Sequence, residues 1–540
     1  MLGAAGASVL AGCSSSPSTS SSTTGSPSGG STPGVNTGTP KKGGSVTIGT
    51  LAEIDGFFPP SNHWDTNGFL YANTVYDPLM WVAADGTVQP YLAKTLTPNA
   101  DSTVWTMTLR SGVKFSDGSE LTSTVVKNNF TALAASALTG TALKGITSVD
   151  TPDPLTVVYN LSAPRPSFAA GLTTQVGYVV GQAMLDQTAA GKTPNPIGTG
   201  PFIYSSWQPN DHFTATRNPN YWQSGLPHLD QVTFKPIPDD TQRAATLKTG
   251  GVDLILTNDP VTIKEFTGSS QYQLVDSLTD VIGEPTMSFI MLNTAVAPTN
   301  DLRIRQALAK SLDVKQLLKI FGGGLTKAIN GLFQPGSPYY VSDTGYPTYD
   351  LAGAKALVNQ YKAEHGTPSL TLSTVTDPRL ESVVQIIQQM WNQAGFDISV
   401  ASIQQATLIT DFITGKFQAA TSYQFGAVDP DLNYVWFSTT TVSPVGGIGL
   451  NFPRNTDPQI EFSLQSGRTS SSQSTREVAY KKLNQRLATD LPYLWLEQYP
   501  FAMVGDGRVQ NFAGLTLPGG TAGYGFDEGI IFPSQIWLNG

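Results

Sequence analysis

The chain has 540 residues, too many for one ordinary domain, and its 39% hydrophobic content is enough to fill the cores of two to four lobes. Its 40 acidic residues outnumber its 31 basic residues, and the net charge of -9 argues against nucleic acid as a partner, which would require a basic surface. The single cysteine, Cys13, excludes an intrachain disulfide, and it excludes a cysteine nucleophile or a cysteine-based metal site in the body of the protein.

The first 13 residues form a short apolar stretch of small residues that ends in Leu10-Ala11-Gly12-Cys13. This ending resembles a bacterial lipobox, in which the cysteine sulfur carries a diacylglyceryl group whose two acyl chains hold a protein at a bilayer. The resemblance implies lipidation of Cys13, and the alternative is an incidental cysteine within a signal peptide. Because no basic segment precedes the apolar stretch, we interpret 1–13 as a partial lipoprotein signal whose natural start lies upstream.

The next segment consists almost entirely of Ser, Thr, Gly and Pro, with Val35 and Asn36 as the exceptions up to Pro40. Such a composition buries no apolar surface, so we predict a disordered tether over 14–42 with a mean reach of roughly 30 Å. No later stretch is long and apolar enough to span a bilayer. Signal and tether together predict an extracytoplasmic protein that is lipid-anchored to the cell membrane, in the periplasm or on the outer face of the cytoplasmic membrane.

The body begins with a predicted strand over 45–51, and a β-rich region follows. Trp105, Met107 and Leu109 alternate with threonines, which gives a strand with one apolar face. A second alternating run lies around Tyr159, and Asp-Gly pairs supply turn signals between such runs.

The later half predicts alternating strands and helices. Strands are predicted at 288–292, around Leu370, at 396–401 and at 417–425, with helices between them that include one capped by Asp301 and one ended by Gly395. This order implies a largely parallel sheet with helices on both faces. Ligands of such sheets bind beyond the carboxyl ends of the strands, so the loop 426–431 is the preferred candidate for ligand binding.

Short segments spread over the body resemble, in order, the extracellular solute-binding proteins of the peptide and nickel class, which include dipeptide- and oligopeptide-binding proteins of bacterial ABC importers. Each segment is modest, but their shared order from about residue 43 to the end makes the resemblance specific. They are Val75 to Leu79, Asp85 to Ala93, Trp105 to Ser119, Pro196 to Phe202, Arg217 to Trp222, Gly250 to Leu254, Asp301 to Leu308 and Asp490 to Tyr493.

The resemblance implies an α/β fold like that of the type II periplasmic binding proteins, with two α/β lobes around a hinged cleft and an extra β-rich domain. By this analogy lobe I comprises 43–75, 196–284 and 491–540, the extra domain is 76–195 and lobe II is 285–490. The implied function is to capture a small ligand, a peptide by preference, and deliver it to the permease of an ABC importer. We expect a monomer without cofactor or metal site.

In peptide-binding members of that class, an Asp in the loop after a Trp pairs with the α-ammonium group of the peptide through charge-assisted hydrogen bonds. Here Phe425 stands where Trp is common, and Val428 stands where the Asp is expected. Asp429 either supplies the charge or is the turn residue of an Asp-Pro pair. We therefore predict a ligand-binding loop made of Tyr423, Gln424, Phe425, Gly426 and Asp429.

Aromatic residues after the first strand form a second candidate group. Trp64 and Phe58 either stack on a ligand in the cleft or pack within the lobe. An aromatic cleft without a paired charge would favour an oligosaccharide, and a metal chelate is a further alternative ligand.

The main functional alternative is a secreted hydrolase. The chain has only four histidines and contains neither a Gly-x-Ser-x-Gly nor a His-Glu-x-x-His motif, so we predict no enzymatic activity.

Overall fold

A computed structural model of the chain describes Gly34 and residues 38–278, 281–424 and 426–539. The predicted lipidation site Cys13, the signal over 1–13, most of the predicted tether and the predicted site residue Phe425 lie outside the described residues.

The strands are, in chain order, β1 Ser45–Thr50, β2 Met80–Val82, β3 Val88–Pro90, β4 Ala93–Pro98, β5 Val104–Leu109, β6 Ile146–Asp153, β7 Thr156–Leu161, β8 Phe202–Gln208, β9 His212–Arg217, β10 Gln231–Pro236, β11 Leu254–Thr257, β12 Tyr272–Asp276, β13 Met287–Leu292, β14 Ser369–Val375, β15 Asp397–Ile403, β16 Ala419–Gln424, β17 Tyr493–Gln498, β18 Ala502–Asp506, β19 Val509–Gln510, β20 Phe526–Asp527, β21 Ile530–Ile531 and β22 Trp537–Leu538.

The α-helices are α1 Thr66–Val75, α2 Ser123–Ala135, α3 Phe168–Gly171, α4 Gln182–Ala189, α5 Asp240–Lys248, α6 Pro260–Phe266, α7 Leu302–Lys310, α8 Val314–Phe321, α9 Leu351–His365, α10 Pro378–Ala394, α11 Gln405–Thr414, α12 Tyr434–Phe437, α13 Pro458–Thr469 and α14 Gln473–Asp490.

The first large sheet has seven strands in the order β12-β18-β11-β1-β10-β9-β8. β1 lies at its centre, parallel to both β10 and β11, because its alternate residues Val46 and Ile48 are fully buried in the hydrophobic core beneath the sheet. The same core takes up α1 and several aromatic side chains, so this sheet and its helices form one α/β unit.

The second large sheet has five strands in the order β15-β14-β16-β13-β17. β14 runs parallel to β15 and β16, whereas β13 runs antiparallel to β16 and β17, so the sheet is mixed rather than largely parallel. The predicted helix–strand alternation is confirmed, including the Asp301 cap of α7 and the left-handed Gly395 that ends α10.

The position of strand β17 differs from the predicted lobe boundary. The sequence assigns 491–540 to lobe I, but β17 pairs with β13 in the five-stranded sheet, and only β18 returns to the seven-stranded sheet. The chain therefore crosses between the sheets twice, near Ser277 and near Phe501. The two crossings are bonded to each other, since Ser277 N–H donates to the Phe501 carbonyl over 2.9 Å and Phe501 N–H donates to Ser277 Oγ over 3.0 Å.

The region 76–195 contains a four-stranded antiparallel sheet in the order β4-β5-β7-β6. Trp105, Met107 and Leu109 of β5 are buried while their neighbours are half-buried, as the alternation predicts. These side chains pack with α2 and α3 in a core of their own, separate from the cores of the two larger sheets.

The described end of the predicted tether differs from the prediction. Gly34 is buried, and its carbonyl accepts a hydrogen bond from Ala513 N–H over 3.0 Å. Lys41 Nζ donates to Asn539 Oδ1 over 3.1 Å, so the described part of 14–42 contacts the C-terminal segment of the body instead of standing free of it.

Glycines 198 and 200 allow a close approach of two backbone segments. A Cβ on Gly198 would lie 2.0 Å from the Val75 carbonyl oxygen, and a Cβ on Gly200 would lie 2.4 Å from the Val75 carbonyl carbon. Gly200 N–H also donates to the Val75 carbonyl over 3.1 Å. This contact fixes the end of α1 against the start of β8.

Candidate functional site

The carboxyl ends of β14 and β16 open at the same edge of the five-stranded sheet, because the two strands are parallel neighbours. The loop that follows β16 is the predicted ligand loop, and α10 begins shortly after β14. Side chains from both connections therefore meet at this edge, which faces the crossing segments that lead to the seven-stranded sheet.

Two tyrosines form a stacked pair at this edge. The Tyr423 ring is 39% exposed and lies parallel to the Tyr499 ring, with centroids 4.4 Å apart and an interplanar angle of 2°. Asn258 Nδ2 donates to Tyr499 Oη over 3.1 Å, and Asn258 follows β11 of the seven-stranded sheet. Burial raises the pKa of Tyr499 to about 12, so its hydroxyl is neutral at pH 7. The pair presents an aromatic face where the two sheets meet.

The predicted residues Gln424 and Gly426 flank this pair on the chain. Gln424 is half-buried and pairs with Met287 across the ladder between β16 and β13. Gly426 is exposed, and a Cβ there would lie 2.4 Å from Glu528 Oε2 and 2.7 Å from Thr286 Oγ1. A glycine is needed at 426 because the Glu528 carboxyl packs directly against it.

The Asp429 carboxylate already has protein partners. Its Oδ1 accepts Asp431 N–H over 2.8 Å, which caps a short 3₁₀ helix over Pro430–Asn433. Arg476 Nη2 donates to both of its oxygens, at 2.7 and 2.6 Å. The structure therefore favours the turn-residue alternative for Asp429 over the pairing with a ligand cation.

Trp64 and Phe58 belong to the interior of the first α/β unit. Trp64 is 8% exposed, its ring lies nearly parallel to that of Tyr76 at 6.0 Å, and its Nε1 donates to the Gly56 carbonyl over 3.4 Å. Phe58 is half-buried against the same core. These contacts favour packing over ligand stacking for both residues, and neither has a ring contact or a hydrogen bond with the described residues of the loop after β16.

Arg379 is the site residue that sequence reasoning misses. It is the second residue of α10, and its Nε is buried without a hydrogen-bond partner among the described residues. Burial lowers the pKa of Arg379, but the surrounding acidic groups raise it by more, so the net shift is upward. These groups are Tyr499, Asp259, Asp377 and Asp240. Asp240 and Asp259 begin helices α5 and α6 of the other sheet, so this guanidinium lies between the two large sheets.

Asp377-Pro378 is the sequence signal that could have located Arg379. Asp followed by Pro marks a helix start, and here it follows a predicted strand whose carboxyl end belongs to the predicted binding edge. This signal locates the start of a helix at the predicted binding edge. A single arginine by itself produces no periodic pattern in the sequence.

Two buried carboxyl groups line the crossing next to the tyrosine pair. Glu528 accepts the N–H and the hydroxyl of Thr286, both at 2.5 Å, and Glu284 Oε1 accepts Ser337 Oγ–H over 2.8 Å. Burial raises the pKa of each to about 8. Both groups are therefore largely protonated at pH 7.

A further buried carboxylate ties the loop after β16 to the region 76–195. Asp431 is 2% exposed and accepts hydrogen bonds from Ser167 Oγ at 2.5 Å, Arg165 Nε at 3.3 Å and Arg468 Nη1 at 3.2 Å. Ser167 and Arg165 lie just before α3. The loop is thus held by fixed protein contacts at both Asp429 and Asp431.

The described ranges, 38–278, 281–424 and 426–539 together with Gly34, contain no helix with the length and apolar character needed to cross a bilayer. Over the same ranges we find no group of three or more His, Cys, Asp or Glu side chains placed to hold a metal ion.

Comparison with known proteins agrees with this architecture. A family model described as bacterial extracellular solute-binding proteins, family 5 Middle, matches residues 87–443. The nickel-binding periplasmic protein of Escherichia coli (strain K12) is 27% identical over 487 residues, which cover 84% of this chain and 89% of that protein.

Two solved structures show the same fold. The periplasmic binding protein AgaA from A. tumefacien R10, in complex with agropinic acid, has a TM-score of 0.80 at 22% identity and covers 92% of this chain and 99% of its own. The ABC transporter-associated protein DppA from Helicobacter pylori, in complex with the peptide STSA, has a TM-score of 0.80 at 20% identity, with coverages of 93% and 99%. The predicted type II periplasmic-binding-protein fold is confirmed.

Proposed function

The chain belongs to the bacterial extracellular solute-binding proteins of family 5, and on that premise we propose that its ligand is a short peptide held through its terminal carboxylate. The protein is the substrate-binding component of an ABC importer, which takes up a small ligand outside the cytoplasm and delivers it to the permease. The resemblance to the peptide and nickel class is confirmed with it.

The observation that carries the carboxylate assignment is the Nε of Arg379, which is buried without a hydrogen-bond partner among the described residues. A buried cation without a full set of hydrogen bonds is costly, and a planar carboxylate matches the donor geometry of a guanidinium. Arg379 lies next to Tyr499, whose ring stacks with the exposed ring of Tyr423. An aromatic face beside a guanidinium with one unused donor suits a peptide terminus with its last side chain.

The same observation separates the peptide from an oligosaccharide. A neutral sugar would offer Arg379 Nε a hydroxyl acceptor but no charge, so it would lack the charge-assisted hydrogen bond that a carboxylate forms with a guanidinium. The aromatic pair alone would suit a sugar, but the aromatic pair together with Arg379 suits an anion.

A metal chelate is the second candidate ligand. It is favoured by the nickel-binding relative, which aligns over 84% of this chain. A chelate with free carboxylates could pair with Arg379 in the same way as a peptide. The metal would then be part of the cargo, carried without direct ligands from the protein.

Titration calorimetry with a panel of dipeptides, their C-terminal amides and nickel–histidine chelates tests these alternatives. We expect dipeptides with a free carboxylate to bind, and Arg379→Gln to lower their affinity by at least about thirtyfold, since removing one partner of a desolvated charge pair costs roughly 2–5 kcal/mol. Arg303→Gln is the matched control, because Arg303 pairs with Asp301 and Glu364 at the surface. Equal affinity for acids and amides, or an unaffected Arg379→Gln variant, would contradict the proposal.

We further propose that Cys13 is lipidated and anchors the monomeric protein to the membrane, and that the protein has no catalytic activity. The lipobox-like ending of 1–13 and the Ser/Thr/Gly/Pro composition of the next segment support the anchor. Expressed with its complete signal, Cys13→Ala should release the protein from the membrane fraction; retention of the variant would refute the anchor.

A further inference from the structure

A second cavity lies away from the binding edge described above. It has a volume of about 780 Å³ and opens between the four-stranded sheet and the C-terminal segment. Its lining includes Lys94 of β4, Arg110, which follows β5, and the apolar side chains of Trp222, Leu226 and Leu517. No residue of the five-stranded sheet lines it, so it is separate from the site around Tyr423 and Arg379.

The charge of this cavity is opposite to that of the molecule. Its lining contains the two cations Lys94 and Arg110 and no acidic side chain, in a chain whose acidic residues outnumber its basic ones by 40 to 31. Within the described part of the chain, neither cation takes part in an ion pair. Asp77 lies behind Trp222 and accepts its Nε1–H over 2.8 Å, and burial raises the pKa of Asp77 to about 7, which reduces its charge.

Arg110 is held in place by one hydrogen bond and one aromatic contact. Its Nε donates to the Tyr91 carbonyl over 2.7 Å, and its guanidinium carbon lies 5.4 Å from the centroid of the Trp222 ring. No other acceptor for this guanidinium is found among the residues that the structure describes. A carbonyl and an aromatic face thus orient a cation whose two terminal groups are available to a ligand.

The two glutamine side chains of the lining already have protein partners. Gln535 exchanges two hydrogen bonds with the backbone of Thr516, at 2.9 and 2.8 Å, and Gln223 Nε2 donates to Tyr91 and Tyr221. The charged groups left for a ligand are therefore the two cations, and the apolar side chains of Leu226 and Leu517 line the same cavity. Such a surface complements an anion attached to an apolar body.

From this geometry we infer that the cavity is a second binding site, which takes a small carboxylate or phosphate anion carried on an apolar group. The inference does not depend on the ligand proposed for Arg379. A site of this kind would let an anionic amphiphile bind the protein while the main ligand is bound, because the two sites share no residue.

The test uses hexanoate and hexyl phosphate as probes, with hexanol and hexylamine as the uncharged and cationic analogues. Titrations are made in the Arg379→Gln background, so that binding at the first site does not contribute. We expect at least one of the two anions to bind, and Lys94→Gln combined with Arg110→Gln to weaken it at least tenfold. Comparing hexanoate with hexyl phosphate tells which anion the site takes.

Two further variants keep the result interpretable. Lys94→Gln alone changes an exposed side chain and should weaken the anion several-fold without affecting folding. Lys114→Gln removes an exposed lysine of the same region that does not line the cavity, and it should leave the affinity unchanged. The proposal is overturned if neither anion binds, if hexanol binds as well as the anions, or if the double variant binds with unchanged affinity.

Discussion

At the scale of single residues, the structure gives Asp429 and Arg379 different roles from those that their sequence contexts suggest. Asp429 lies one residue after the expected loop position, and it is bound to Arg476 and to the backbone of its own turn. Arg379 has no distinctive sequence context, yet its Nε is buried without a partner among the described residues. Side-chain availability depends on long-range neighbours, here a helix 47 residues away from Asp429, which local sequence does not specify.

Asp429→Asn should therefore affect stability rather than binding. The substitution leaves Arg476, whose side chain is 7% exposed, without its anionic partner and should destabilise the fold by roughly 1–3 kcal/mol. Urea unfolding measures that loss, and calorimetry should show an unchanged dipeptide affinity. Asp211→Asn, at an exposed position, is the control. A large loss of affinity at unchanged stability would restore Asp429 as a ligand-binding residue.

Glu528 makes a residue-scale prediction about pH. Its pKa rises from 4.5 to about 8 on folding because it is buried, so its favourable contribution is complete below about pH 4.5 and is lost as the pH rises through 8. The loss amounts to at most about 5 kcal/mol between these limits. The melting temperature should fall between pH 5 and 9 in the wild type, and less steeply in Glu528→Gln, since the amide mimics the protonated acid. Identical slopes for the wild type, Glu528→Gln and the exposed control Glu120→Gln would contradict this.

At the scale of elements, periodicity identifies strands and helices but not their partners. The β14-α10-β15-α11-β16 succession follows the predicted order, because amphipathic spacing and the Asp377 and Gly395 caps are local signals. The place of β17 in the five-stranded sheet is not predictable in this way. Its buried run Tyr493 to Leu496 would suit an inner strand of either sheet, and only the pairing with β13 decides between them.

The contact between α1 and β8 predicts an unusually strict requirement for glycine. In Gly200→Ala the new methyl group would lie 2.6 Å from Tyr76 N and 2.4 Å from the Val75 carbonyl carbon, both backbone atoms that cannot turn away. We expect a loss of roughly 2–4 kcal/mol, measured by urea unfolding, because one of the two segments must move. Gly171→Ala, where the methyl group meets nothing within 4 Å, should cost little or add stability. Equal stabilities of the two variants would show that the α1–β8 contact adjusts freely.

At the scale of the whole molecule, the two crossing segments are placed to act as one hinge. They are bonded side by side through Ser277 and Phe501, so a rotation about this pair would change the angle between the large sheets without breaking either sheet. Ligand contacts on both sides of the cleft would favour the closed arrangement.

Small-angle scattering measures that closure directly. A saturating dipeptide that binds in the calorimetric panel should reduce the radius of gyration of the wild type, whereas its C-terminal amide at the same concentration should not. The amide controls for effects of solute and ionic strength. An unchanged radius with a bound dipeptide would contradict hinge closure.

The adjacency of β13 and β17 has an evolutionary consequence. The chain enters the five-stranded sheet at Met287 and leaves it at Gln498, and these two residues are partners in one ladder. A recombination event that replaces this continuous stretch joins the genes at two points that are neighbours in space, so the remaining sheets keep their strand order. The part of the binding edge that contains Arg379 and Tyr423 can then be exchanged as one gene segment. The surfaces formed by the rest of the chain are inherited without change.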